Sequence, residues 1–185
     1  MRTVAVFVLL LLAPAWLRAG PMEDFQREYG NDGVRYKKAL VEAIKTSDRI
    51  VVTEHSDRND FPVSDRNRTD LPQFEYGRVE LDGPAKAKFL KNAETIDGKT
   101  KTTATSCIFV PHHTVRFYSG VALKSTMQIC FYCGAIDWDA TRLAPPHGLW
   151  TAILPLIEDA GFQTNPEPEY WAQLLKKARK ADRRK

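Results

Sequence analysis

The sequence lacks the motifs that identify the common enzyme classes, and it has no long apolar run after its first twenty residues. It contains no nucleophile elbow, phosphate-binding loop, zinc-protease helix motif or dinucleotide-binding fingerprint. Without a later apolar run, no membrane-spanning helix is expected after the N-terminal segment. These absences leave open whether the protein is an enzyme, and they favour a structural or binding module of unknown partner.

The N-terminal segment has the layout of a secretory signal peptide. It starts with the positive charge of Arg2, continues with the apolar run Val4–Trp16, and places the small residue Ala19 before Gly20. The apolar run is too short for a stable membrane span. We therefore predict a signal peptide over residues 1–19 and a soluble mature protein that is secreted or periplasmic. An uncleaved anchor is the alternative, because the cleavage site is irregular.

The charge of the chain is unevenly distributed, and an extended basic face is lacking. The total of +4 includes +2 from the predicted signal peptide and +6 from residues 176–185, which leaves −4 for residues 20–175. No nucleic-acid partner is expected from such a domain. The basic C-terminal tail is interpreted as a solvated helix end, whose charges can also contact an anionic surface.

Hydrophobic periodicity predicts a single domain over residues 20–175. Helical spacing marks four segments, at Val34–Ser47, after Asp82-Gly83-Pro84, at Leu149–Ala160 and at Tyr170–Lys180. β-Branched or alternating residues mark two strands, at Ile50–Glu54 and Phe74–Leu81, and a later hairpin adds two more. This order favours the α+β class, with an antiparallel sheet of about four strands and helices packed on one face. His55–Leu71 is predicted to be a long surface loop.

The predicted hairpin, Ser106–Asp137, contains all three cysteines and two of the four histidines. Its turn is expected near Gly120, which can adopt a positive φ. The resulting register places Cys107 opposite Cys133, so we predict a disulfide between them in an oxidising compartment. Cys130 is then a buried free thiol, too far along the strand to bond to Cys133 unless the strand ends at Tyr132.

The same side chains support an alternative, a metal- or thiol-dependent protein centred on Cys107, His112, Cys130 and Cys133. Three cysteines with His112 or His113 match the ligand set of a Cys₃His zinc site, so zinc is the cofactor to test if there is one. The Cys-x-x-Cys spacing also occurs in redox enzymes, but the strand-to-helix setting that lowers a thiol pKa is missing here. No cofactor is expected from the leading interpretation.

The histidines allow a third hypothesis. His112 and His113 are adjacent, so on a strand they point to opposite faces and at most one faces a site. The simpler interpretation has one histidine in solvent and the other bonded to a backbone carbonyl. Glu54 and His55 end the first predicted strand; if the two strand ends meet, Glu54 and a histidine form a base with its orienting carboxylate, as in a hydrolase.

Three segments together resemble an uncharacterised family of small exported bacterial proteins. They are Arg49–Ser56 (RIVVTEHS), Cys107–His113 (CIFVPHH) and Ile129–Gly134 (ICFYCG). The shared pattern is Cys…Pro-His-His…Ile-Cys-Phe-x-Cys. The resemblance implies an extracytoplasmic location and a common role for the cysteines and the Pro-His bend, and it implies no catalytic residue.

Overall fold

The computed structural model of the protein describes residues 29–101 and 107–183; the predicted signal peptide lies outside them. The chain forms four α-helices: α1 (Asp32–Thr46), α2 (Gly83–Thr95), α3 (Trp150–Asp159) and α4 (Pro168–Asp182). It forms five β-strands: β1 (Arg49–His55), β2 (Glu75–Glu80), β3 (His113–Ser119), β4 (Ala122–Cys130) and β5 (Ala135–Trp138).

The strands form one antiparallel sheet in the order β2-β1-β3-β4-β5. The α+β class is therefore confirmed, with one strand more than expected. The additional strand is β5, which forms because Gly134 adopts a φ of +56° and turns the chain back along β4. Trp138 then pairs with Met127 and adds its ring to the core.

One face of the sheet carries the hydrophobic core. Alternate strand residues share that face because their partners are in register: Ile50 with Phe117, Val52 with Val115, and Val115 with Met127. Helices α1, α2 and α3 cover them with apolar stripes, Tyr36–Leu40–Ile44 from α1, Phe89–Ala93 from α2, and Ile153–Leu156–Ile157 from α3. Two polar residues, Glu54 and His113, lie farther along this face of the sheet, and the core holds the strands that carry them in place.

The start of α2 shows how the sequence determines an element. The Asp82 carboxylate accepts a hydrogen bond from the Ala85 backbone N–H at 2.8 Å, and Pro84 lies in the first turn. Both features agree with the predicted helix start. At the end of α3, Gly161 has a φ of +80° and reverses the chain, as expected for a helix C-terminus.

The β3–β4 hairpin turns at Gly120, whose φ is +58°, as predicted. Its first arm is shorter than expected, since β3 begins at His113 and residues 107–112 are irregular. A bulge between Phe117 and Tyr118 also shifts the register by one residue. The prediction that Cys107 and Cys133 face each other across two paired strands was therefore wrong, because neither residue lies in a strand.

The predicted loop after β1 contains a short 3₁₀ turn, Arg58–Asp60, that makes its own capping box. The Asp57 side chain accepts from the Asn59 N–H at 2.8 Å, and the Asp60 side chain accepts from the Asp57 N–H at 2.9 Å. The loop then packs against α4, which runs on through most of the basic tail. The guanidinium of Arg179 lies 3.9 Å from the Asp65 carboxylate.

A close contact joins the segment after α3 to β2. A Cβ atom at Gly77 would lie 2.5 Å from Cε1 of Phe162, so only glycine allows this approach. Gly77 pairs with Glu54 of β1, which places the Phe162 ring over the end of the sheet.

Among the described residues, the helices are all too short or too polar to cross a membrane.

Candidate functional site

The ends of β1 and β3 meet at one end of the sheet. Glu54 and His113 are directly paired across the two antiparallel strands, so their side chains share a face. Glu54 Oε1 lies 3.6 Å from His113 Nε2. The structure thus brings together the glutamate and histidine that the sequence could only suggest as a pair.

Glu54 is held by α4. It is only 4% exposed, and both of its carboxylate oxygens accept hydrogen bonds from the Tyr170 hydroxyl, at 3.1 and 3.2 Å. Burial, followed by the nearby Glu54, raises the pKa of Tyr170 to about 12. The phenol therefore remains a hydrogen-bond donor to Glu54 at neutral pH.

His113 is buried without a hydrogen bond. It is 1% exposed, and within residues 29–101 and 107–183 neither ring nitrogen has a partner at hydrogen-bonding geometry. Aromatic rings surround it: Phe131 at 5.2 Å, Trp171 at 5.9 Å and Phe162 at 6.2 Å between centroids. Burial lowers the pKa of His113, although Glu54 and the Gln163 backbone act in the opposite direction.

His112 has the opposite environment. Its Nε2 lies 2.8 Å from Asp60 Oδ1, and its ring stacks on Trp171 with 3.9 Å between centroids and 13° between planes. Asp60 is fixed in turn by the Tyr76 hydroxyl at 3.2 Å, in addition to the capping box. Burial and the neighbouring Asp60 raise the pKa of Tyr76. The expectation that one of the two histidines lies in solvent was wrong.

His55 belongs to a separate network. Its Nε2 lies 2.7 Å from Thr114 Oγ1, and its Nδ1 lies 3.0 Å from the Gln73 amide nitrogen and 3.1 Å from the Ser56 carbonyl. Burial lowers the pKa of His55. With both nitrogens occupied, His55 stabilises the end of β1 and is not available to a ligand.

A cavity of about 480 Å³ opens beside the two adjacent histidines. Its apolar lining includes Phe131, Trp171 and Pro166, and its polar lining includes Asn59, Arg66, Thr164 and Asn165. His112 and His113 both line it, because His112 precedes the first residue of β3 and is not bound by strand alternation. Small-molecule sites have this size and this mixture of surfaces.

The cysteines are free in the structure, and no sulfur pair is at bonding distance. The predicted disulfide between Cys107 and Cys133 is thus not present, although Cys133 Sγ lies 3.6 Å from the carbonyl of Ile108. β4 ends at Cys130, so a turn brings the Cys133 N–H within 3.4 Å of Cys130 Sγ. Cys130 and Cys133 nevertheless carry free thiols; the prediction that they do not bond to each other assumed a strand that continues past Cys130, and β4 ends there.

The proposed metal cluster is not assembled by the described residues. Among them, no three His, Cys, Asp or Glu side chains are grouped so that they could hold a metal ion. His112 is instead bonded to Asp60 and stacked on Trp171, as described above. Cys107 is exposed, whereas Cys130 and Cys133 are buried.

Sequence reasoning missed Asp60, Tyr76 and Tyr170 as parts of the site. Asp60 lies in the predicted surface loop after β1, and Tyr170 lies in the last segment for which helical spacing predicts a helix. Residue spacing does not reveal contacts between segments more than 100 positions apart, such as Tyr170 with Glu54. The capping box Asp57-x-x-Asp60 was a local signal that an ordered turn occupies the loop.

Comparison with known protein families, with curated proteins and with solved structures finds no significant match to this chain.

Proposed function

We propose that the protein is an exported binding module that takes up a small organic molecule in the cavity beside His112 and His113. The observation that carries this proposal is the buried His113 imidazole, which lines the cavity and has no hydrogen-bond partner among the described residues. A buried polar group without a partner costs about 1–3 kcal/mol, and a ligand that bonds to it recovers that energy. Both ring nitrogens are shielded from solvent, so such a ligand must displace the surrounding rings to reach them.

The chemistry of the lining selects a neutral ligand with a polar group and an apolar body. A neutral imidazole has one donor and one acceptor nitrogen, so a hydroxyl or amide group complements it. Near the two histidines, the carboxyl groups of Glu54 and Asp60 disfavour a further anion. The one cation of the lining, Arg66, is engaged by the backbone carbonyls of Phe61 and Asn59. Phe131, Trp171 and Pro166 offer the surface for an apolar ring.

Benzamide and benzoate are suitable probes, because they share a ring and differ in charge. Saturation-transfer NMR should detect benzamide on the wild-type protein and show weaker binding of benzoate. His113→Phe keeps the ring shape and removes both nitrogens, so benzamide affinity should fall about tenfold. The matched control is His147→Phe, the same exchange at an exposed histidine outside the cavity. Equal binding by wild type and His113→Phe would contradict the proposal.

The contact between Glu54 and His113 favours a second candidate, a hydrolase. His113 accepts a proton from a water molecule as the water adds to an ester carbonyl, Glu54 stabilises the protonated ring, and the proton then passes to the leaving group. With p-nitrophenyl acetate as the probe, the products are acetate and p-nitrophenol. His113→Phe should lower the rate about 100-fold, and Glu54→Gln should lower it without loss of benzamide binding. A rate unchanged by both substitutions would exclude this mechanism.

The metal- or thiol-dependent alternative is supported by one contact, in which the Cys133 N–H lies 3.4 Å from Cys130 Sγ. Native mass spectrometry of protein purified without chelator, combined with thiol counting, tests it directly. Bound zinc with three reduced cysteines would support the alternative. One disulfide and one free thiol without bound metal would contradict the metal-dependent alternative.

Export is part of the proposal and is supported by the arrangement of residues 1–19. N-terminal sequencing of protein recovered from a periplasmic fraction should find a start near Gly20. Recovery of the intact N-terminus in the cytoplasmic fraction would contradict export.

A further inference from the structure

A second groove, of about 820 Å³, lies between the loop after β1 and helix α4. Its apolar lining is formed by Phe61, Pro62 and Val63 from the loop and by Ala172 and Leu175 from the helix. Val63 is 74% exposed, an unusual position for a valine that lines a concave surface. The groove shares Asp60, Arg66 and Ala172 with the histidine cavity but is otherwise lined by different residues.

Basic side chains line the groove along one side of α4. Lys176, Lys180 and Arg183 are spaced four and three residues apart, so they form one row along the helix. Leu175 and Ala172 lie beside that row, so the helix presents an apolar strip next to a cationic one. The apolar strip and the cationic strip lie close enough together for one small amphipathic molecule to contact both.

Three cations of this groove have no ion-pair partner among the described residues. Arg66 donates to the carbonyls of Phe61 and Asn59, and Arg179 faces Asp65 at 3.9 Å. For Lys176, Lys180 and Arg183, the part of the chain that the structure describes provides no carboxylate within ion-pair distance. The groove therefore combines an apolar surface with three cations for which the described residues provide no ion pair.

We propose that this groove binds one monomeric anionic amphiphile, a molecule with a carboxylate or phosphate head and an acyl chain. The head pairs with Lys176, Lys180 and Arg183, and the chain lies against Val63, Pro62 and Leu175. The volume falls within the range of small-molecule sites, about 300–1,000 Å³. A concave groove suits a single molecule, whereas the flat surface of a bilayer would contact its rim alone.

Dodecanoate is the probe, used below its micelle concentration and measured by displacement of 1-anilinonaphthalene-8-sulfonate. The double substitution Lys176→Glu with Lys180→Glu should weaken dodecanoate binding about tenfold. The matched control is Lys177→Glu with Lys91→Glu, which makes the same change in net charge at exposed helical lysines outside the groove. The control should bind within about twofold of the wild type.

The apolar half of the groove is tested by Val63→Gln, which leaves the core untouched because Val63 is exposed. Its dodecanoate affinity should fall about threefold. Equal losses in the Lys176/Lys180 variant and its control would overturn the proposal, since they would indicate general charge attraction. Binding only to vesicles of anionic phospholipid would also overturn it. His113→Phe should not change dodecanoate binding, so the two sites can fail independently.

Discussion

The two adjacent histidines, His112 and His113, each face a carboxylate and line the same cavity, but their hydrogen bonding differs. His112 is hydrogen-bonded to Asp60 at 2.8 Å and stacked on Trp171, so its position is fixed from two directions. His113 lies 3.6 Å from Glu54, among aromatic rings and without a hydrogen bond among the described residues. The histidine of the pair is therefore hydrogen-bonded on the loop side, whereas on the sheet face only the carboxylate is hydrogen-bonded among the described residues.

The difference shows which pair holds the protein together and which is available to a ligand. Removing one member of a satisfied buried pair leaves its partner without a bond, which is costly. Removing a group that already lacks a partner costs little, because nothing is lost except packing. We therefore expect stability to depend on the pair of His112 and binding to depend on His113.

Asp60→Ala should give the largest effect on stability. The substitution removes the acceptor of the His112 ring, the Tyr76 hydroxyl and the Asp57 N–H at once. We expect the free energy of unfolding to fall by about 3 kcal/mol, measured by urea denaturation. Asp65→Ala in the same loop is the control, and its loss should stay below about 1 kcal/mol. Equal losses would contradict the central role of Asp60.

Matched substitutions of the two histidines compare the pairs directly. His112→Phe leaves an Asp60 oxygen without its donor and should cost about 2 kcal/mol of unfolding free energy. His113→Phe removes nitrogens that have no described partner and should change it by less than about 1 kcal/mol. Both values come from urea denaturation at pH 7.5. A larger loss for His113→Phe would reverse our assignment of the pairs.

The pH dependence of stability gives a smaller and separable effect. Burial lowers the pKa of His113 and of His55, so the folded protein keeps them neutral while the unfolded chain binds protons below about pH 6.5. The free energy of unfolding should therefore fall as the pH drops below about 6.5, by up to about 1.4 kcal/mol per pH unit for each histidine. His113→Phe should make this slope shallower, and His147→Phe should not. An unchanged slope in His113→Phe would contradict the neutral buried ring.

Tyr170→Phe should give the smallest effect. It removes the hydroxyl that bonds to both oxygens of Glu54, in a residue that is only partly buried, so we expect a loss of about 1 kcal/mol. Absorbance at 295 nm during alkaline titration provides a second readout. The wild type should show a tyrosine that titrates near pH 12, and the variant should lack it. A normal titration of Tyr170 in the wild type would indicate that the bond to Glu54 is absent in solution.

The fold was largely predictable because local signals marked its elements. Asp82 and Pro84 marked the start of α2, and Gly120 marked the hairpin turn. β5 was missed because a four-residue strand beside a turn has too few residues to show alternation. The early end of β4 at Cys130 was missed because the alternation of Met127 and Ile129 continues to Phe131, and with it the geometry of the cysteines was missed.

The site was predictable only in part. The sequence could name Glu54 and a histidine as a possible pair, since both lie at strand ends, but strand pairing decides whether they meet. Asp60 and Tyr170 reach the site from a loop and from the last helix, and no local pattern encodes those contacts. The missing hydrogen bonds of His113 depend on all of these neighbours together.

The contact between Gly77 and Phe162 offers a way to open the site without altering any of its polar groups. Phe162 lies over the end of the sheet because residue 77 has no side chain, and its ring is one of those that shield His113 from water. A single methyl group, introduced as Gly77→Ala, would displace that ring and admit solvent to the imidazole. We therefore expect the size of residue 77, which pairs with Glu54 across the sheet, to affect the hydration of His113.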